Sequence, residues 1–229
     1  MDVFDHEGPW TEAAYLALQH DGRVEVVDGT LLVGPGAGPQ RTRVIDRVRA
    51  AVAAALPGGL RVRGPVPLRL GPDCVLVPDL VVTAAAPVPD GDDAAGDDAA
   101  GDDAAVGPAD EETGGTGDDT GEDDPVLDAA AALMVIEVVG CDHGATDRSF
   151  KPQLYARSRI PYSLLIDHDG PFAVAEMIIG GRYHEYARSG ERLQIEEPFA
   201  LDLDLAAITA IEPADATDAP LVEAPAEAS

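Results

Sequence analysis

Apolar and polar positions follow a readable period over most of this 229-residue chain. Trp10–His20, WTEAAYLALQH, reads as a short helix with Thr11 at the N-cap position, stopped by Asp21-Gly22. RVEVVDGTLLVG then alternates on either side of Asp28-Gly29, a hairpin signature. In Pro39–Leu56, Val44, Val48, Val52 and Ala55 recur at helical spacing, Ile45 and Leu56 widen the stripe, and Pro57-Gly58-Gly59 ends it. Short strands are expected over Leu60–Arg63, Val66–Leu70 and Val75 through about Thr83. The apolar run LMVIEVV, from Leu133, has the length of a buried strand. A helix over Phe150–Arg159 follows, with Ser149 as its N-cap so that Pro152 falls in the first turn. Beyond it come a strand at Pro161–Asp167, a hairpin of Phe172–Ile179 and Arg182–Ala187 around Gly180-Gly181, a short strand at Leu193–Ile195 and a terminal element in DLDLAAI.

This interleaving of strands and helices predicts an α/β fold, a mixed central sheet flanked by helices with the site at one sheet edge. The pattern breaks over residues 87–125, where GDDAA occurs three times in succession and residues 90–124 hold 15 acidic and no basic side chains. Such a segment buries too little apolar area to offset its ordering entropy. It reads as a disordered acidic insertion in a surface loop that joins two strands of one sheet. It is either a tolerated low-complexity expansion or a polyanion mimic that shields basic surface. Residues 213–229 read as a disordered acidic tail. One domain, 1–212, remains.

Charge changes the picture less than its total suggests. The net charge is −28, but outside residues 90–124 it is −13. Between Gln40 and Leu70 stand seven arginines (41, 43, 47, 49, 61, 63 and 69) and a single acid, Asp46. This is either a solvated helix face and strand edge or a phosphate-facing surface, and no stacking aromatics accompany it. The two cysteines, Cys74 and Cys141, show no CxxC spacing, which fits free thiols in a reducing cytoplasm. No apolar stretch reaches membrane-spanning length, and the acidic start MDVFDHE is unlike a signal peptide.

Three residues carry candidate chemistry. Glu137 lies inside the apolar run, where an ionised carboxylate needs an arginine, a metal or a proton. Asp79 ends a similar run, VLVPD, and its proline points to a strand edge or a bulge. Lys151 is the only lysine, although arginine fills the other 14 basic positions. Its ammonium can contact a phosphate, orient water, or lose a proton where arginine cannot. Two carboxylates on neighbouring strands can hold magnesium while leaving sites for water and a phosphate oxygen. Asp147, one turn before the lysine, either holds it or caps the helix. The five histidines lack zinc-site spacing, the glycine-rich GPGAG lacks the Lys-Ser/Thr of a phosphate loop, and no serine sits in a nucleophile elbow.

These pieces resemble the Uma-type (Uma-two) family of restriction endonucleases, within the PD-(D/E)xK restriction-endonuclease-like superfamily. The resemblance runs through WTEAAYLAL, RVEVVDGTLLV, VPDLVV, VIEVVGCDHGATDRSFKPQLYARSRIPYSLLID, GRYHEYARSG and PFALDLDLAAI. The long central piece is the specific one, with Glu137, Asp147, Lys151, Tyr155, Pro161-Tyr162 and Asp167 in the family's order. The resemblance implies a metal-dependent DNA endonuclease. Asp79 and Glu137 would hold magnesium, or manganese in its place, Glu25 would add to the site, and Lys151 would be the catalytic lysine. Nucleases of this kind often pair as homodimers, though the sequence shows no dimer face. Two departures stand out: Gly140-Cys141 replaces the family's usual Ser-Pro, and Gln40-Arg41 stands where a histidine often opens the long helix. With the acidic balance, they leave open an inactive module that binds nucleic acid or protein.

Overall fold

The computed structural model describes residues 6–18, 22–34, 36–85, 125–140 and 146–211. The expected acidic insertion (except Pro125), the tail, Cys141 and His143 lie outside these residues. Helix α1 (Glu12–Leu16) is capped by Thr11, whose hydroxyl accepts from the Ala14 amide. Strands β1 (Arg23–Val27) and β2 (Thr30–Gly34) form the expected hairpin. Asp28 and Gly29 carry the positive φ, 47° and 72°, of its two-residue turn. The amphipathic helix α2 (Pro39–Ala55) buries Val44, Ile45, Val48 and Val52, as its stripe predicts.

Next come β3 (Leu60–Arg63), β4 (Leu68–Gly71), β5 (Cys74–Leu76) and β6 (Leu80–Ala84). The single strand expected from Val75 to Thr83 is therefore two. Val77-Pro78-Asp79 breaks it, and the halves enter different sheets. Strand β7 (Leu127–Asp128) precedes β8 (Ala132–Val139), the LMVIEVV strand. A π-helical turn, Thr146–Phe150, leads into α3 (Lys151–Arg157). Ser149 lies within this turn, and α3 has no side-chain cap, so the expected N-cap is corrected. Strands β9 (Tyr162–Asp167), β10 (Phe172–Ile179), β11 (Arg182–Ser189), β12 (Arg192–Ile195) and β13 (Leu201–Asp204) and helix α4 (Leu205–Thr209) complete the chain.

Two main sheets result: β2-β1-β5-β4-β7 and β11-β10-β9-β8-β6-β3, with β12-β13 as a separate pair. The larger sheet is mixed, since β8 pairs antiparallel with β6 and parallel with β9. Alternation along β8 sends Met134, Ile136 and Val138 into a core shared with α2, α4 and the β12–β13 pair. Val135 packs on the opposite face with Leu68, Leu76, Leu154 and Tyr155 of the smaller sheet and α3. Tyr15 of helix α1, with the flanking Trp10 and Leu18, covers the far side of the smaller sheet. No described helix is long and apolar enough to cross a membrane.

Candidate active site

The register of β6 on β8 creates the site. Leu80 pairs with Ile136, so continuing the ladder would set Pro78 opposite Val138. Proline has no N–H to offer, and the chain leaves the sheet there. The backbone of Val138 is satisfied by side chains instead. Its N–H donates to Asp79 Oδ2 at 2.7 Å, and its carbonyl accepts from Arg41 Nε at 2.7 Å. Arg41 Nη2 also reaches Asp79 Oδ1 and Oδ2, at 2.7 and 2.8 Å. Asp79 is thus fixed at the head of β6, beside the interior strand β8 and not at a sheet edge.

Glu137 shares its face of β8 with Val135, toward α3 and the smaller sheet. Tyr155 donates its hydroxyl to Glu137 Oε1 at 2.6 Å, and Arg23 Nη2 donates to Oε2 at 3.0 Å. Glu25 comes from β1 of the smaller sheet, where its Oε1 accepts from the Val77 amide at 2.8 Å. Lys151 joins the two sheets. Its Nζ lies 2.7 Å from Glu25 Oε1, 2.7 Å from Asp147 Oδ1 and 3.7 Å from Glu137 Oε1. Asp147 thus holds the lysine, through the π-helical turn that precedes α3. Arg23 touches all three candidate metal ligands, at 3.4 Å from Glu25, 3.3 Å from Asp79 and 3.0 Å from Glu137, and also donates to the Val77 carbonyl.

The electrostatics follow from burial and these partners. Burial, then repulsion by Glu137, pushes Asp79 up to about 6 against the pull of Arg23 and Arg41. Burial alone would lower Lys151, but Glu137 and Glu25 outweigh it and raise its pKa. Lys151 is therefore held as an ammonium among these carboxylates. Arg23 is raised likewise: burial opposes, and Glu137, Glu25 and Asp79 prevail. Burial and then Glu137 hold the Tyr155 phenol well above its ordinary value.

The structure brings together Glu25, Asp79, Glu137 and Lys151, all buried. Sequence reasoning gave no role to Arg23 or Tyr155 and read Arg41 as part of a basic region. Signals existed: Arg23 is two residues from Glu25 on one strand, and Tyr155 is one helical turn from Lys151. The basic region itself disperses. Arg47 holds the carbonyls of Ile208 and Ala210 at 3.1 and 2.6 Å, Arg49 holds that of Gly64 at 2.8 Å, and Arg69 clasps Glu12 at 2.5 Å. A cleft of about 300 Å³ opens over Asp79, with Arg23, Arg41, Arg49, Asp46 and Pro65 in its walls.

A mixed sheet with a second sheet and α3 on one face and α2 on the other is a restriction-endonuclease-like α/β fold. A crystal structure described as "a putative nuclease belonging to DUF820" from Anabaena variabilis shares it. The TM-score is 0.61 at 15% identity, covering 88% of this chain and 98% of that one. The family follows from the sequence model. Residues 12–207 match Uma2, described as "Putative restriction endonuclease", and this chain belongs to that family. A comparison with curated proteins gave no match.

Proposed function

We propose that the protein is an endonuclease that hydrolyses phosphodiester bonds of DNA at this cluster. Asp79, Glu137 and Glu25 would hold magnesium, or manganese in its place. The observation that carries this reading is the convergence of three carboxylates, from three elements, around Arg23 and Lys151. Carboxylate oxygens are the donors these hard cations take, so the chemistry of the set fits. Among the described residues, however, no three acidic, histidine or cysteine side chains stand gathered as a metal cage; Arg23 contacts all three carboxylates.

A bound cation would lower the pKa of its water and offset charge on the transition state. The chain's own groups would do the rest. Lys151, held between Glu25 and Asp147, would place positive charge beside the phosphate and position or activate water. Tyr155 would fix the rotamer of Glu137. Nucleic acid would approach through the cleft over Asp79, where Arg49 adds charge.

The test is nicking of supercoiled plasmid with magnesium or manganese, beside Asp79→Ala and Lys151→Ala. Wild type should nick and neither variant should; equal nicking by all three would defeat the reading. One observation favours the second reading, an inactive module that binds nucleic acid or protein: every candidate ligand already has a cation against it. DNA binding without nicking or metal binding would support that reading.

A further inference from the structure

We infer that Arg23 stands in for the metal: its guanidinium takes a divalent cation's place among Glu25, Asp79 and Glu137, and leaves before they close on one. The inference rests on the reading of these carboxylates as metal ligands and adds a control on that site.

Geometry singles out Arg23. One planar group spans all three carboxylates, through Nε, Nη1 and Nη2 respectively. The other two cations are more firmly held. Lys151 is 2% exposed, with two contacts of 2.7 Å; Arg41 is 3% exposed and braced at 2.7 Å on both Asp79 and the Val138 carbonyl. Arg23 is held by the Val77 carbonyl, but its carboxylate contacts are longer, 3.0–3.4 Å, and its side chain is 13% exposed. Its buried Nε has no hydrogen-bond acceptor among the described residues and meets Glu25 only as an ion pair. It also lines the cleft of about 300 Å³, so it has space to swing into.

Charge gives the same answer. Among the described residues, removing Arg23 leaves Glu25, Asp79 and Glu137 with only Arg41 and Lys151 against them, a net negative site that attracts a cation. A phosphodiester in the cleft would draw Arg23 outward, so nucleic acid and metal should strengthen each other's binding, as linkage requires.

The test is manganese titration calorimetry at pH 7.5 on wild type, Arg23→Gln, Arg23→Lys and the double variant Arg23→Gln/Asp79→Asn. Arg23→Gln should bind manganese at least about tenfold tighter than wild type. Arg23→Lys, which keeps the charge but spans fewer carboxylates, should show a smaller gain. The double variant should lose the gain. Equal or weaker binding by Arg23→Gln overturns the inference. If wild type then still binds manganese through Asp79, the metal-site reading survives; if neither binds, both fall. Should Arg23→Gln not fold without metal, Arg23→Lys decides by thermal unfolding. Manganese should raise its Tm more than that of wild type, and an equal rise overturns the inference.

Discussion

Arg41 and Asp79 form a clamp, in which one guanidinium nitrogen reaches both carboxylate oxygens, at 2.7 and 2.8 Å. The Nε of the same arginine holds the Val138 carbonyl at 2.7 Å, so the pair completes a ladder that Pro78 cannot. Removing one partner of a buried pair strands the other. Arg41→Ala should cost about 3–5 kcal/mol in urea unfolding. Arg41→Lys should recover only part of this, because an ammonium lacks the planar fork that serves Asp79 and Val138 together.

Tyr155 is fully buried and its hydroxyl meets Glu137 at 2.6 Å. Tyr155→Phe keeps the ring packing and leaves a buried carboxylate oxygen with one donor fewer. The expected loss is about 1–3 kcal/mol, read from the denaturant midpoint, with little change in circular dichroism. A loss near zero would mean that another donor replaces the phenol.

Gly64 holds the Asp79 segment in place. Its φ is +146°, and a Cβ there would lie 2.2 Å from the Asp79 carbonyl oxygen. Gly64→Ala should cost more than about 1 kcal/mol and, if the proposed function holds, reduce plasmid nicking as Asp79→Ala does. Gly58→Ala, with nothing within 4 Å, is the control and should stay within about 0.5 kcal/mol of wild type.

Cys74 supplies a pH prediction away from the site. Burial, then the charges of Asp28 and Asp73, pushes its thiol up to about 11 from an ordinary 9.0. The folded protein keeps this proton where the unfolded chain has released it. The thiol's contribution to stability is therefore complete below about pH 9 and is lost as pH rises through 11. In a Cys141→Ser background, Cys74 should react slowly with a disulfide reagent at pH 8 and quickly once unfolded. Cys74→Ala should flatten the alkaline fall in Tm.

Gly140 leaves no room for a larger side chain. A Cβ there would lie 2.6 Å from His168 Nε2 and 2.8 Å from Asp169 Oδ2. The space a serine would need is filled by the turn after β9. Gly140→Ser should lower the Tm, and adding His168→Ala should restore part of the loss.

The sequence by itself determined the local elements and the set of candidate acids. The stripe of α2, the hairpin turns at Asp28-Gly29 and Gly180-Gly181, and the buried strand around Glu137 follow from periodicity and turn chemistry, which act over a few residues. Only the tertiary structure decided where Pro78 divides its strand, that β8 lies inside a sheet, and which cation meets which carboxylate. Arg23 and Glu137 are 114 residues apart in sequence, and Arg41 and Asp79 are 38 apart. Such pairs depend on strand register and on how the two sheets pack, and no local pattern encodes them. The same packing buries Lys151 among acids and fixes its charge, which its rarity in the sequence could signal but not explain.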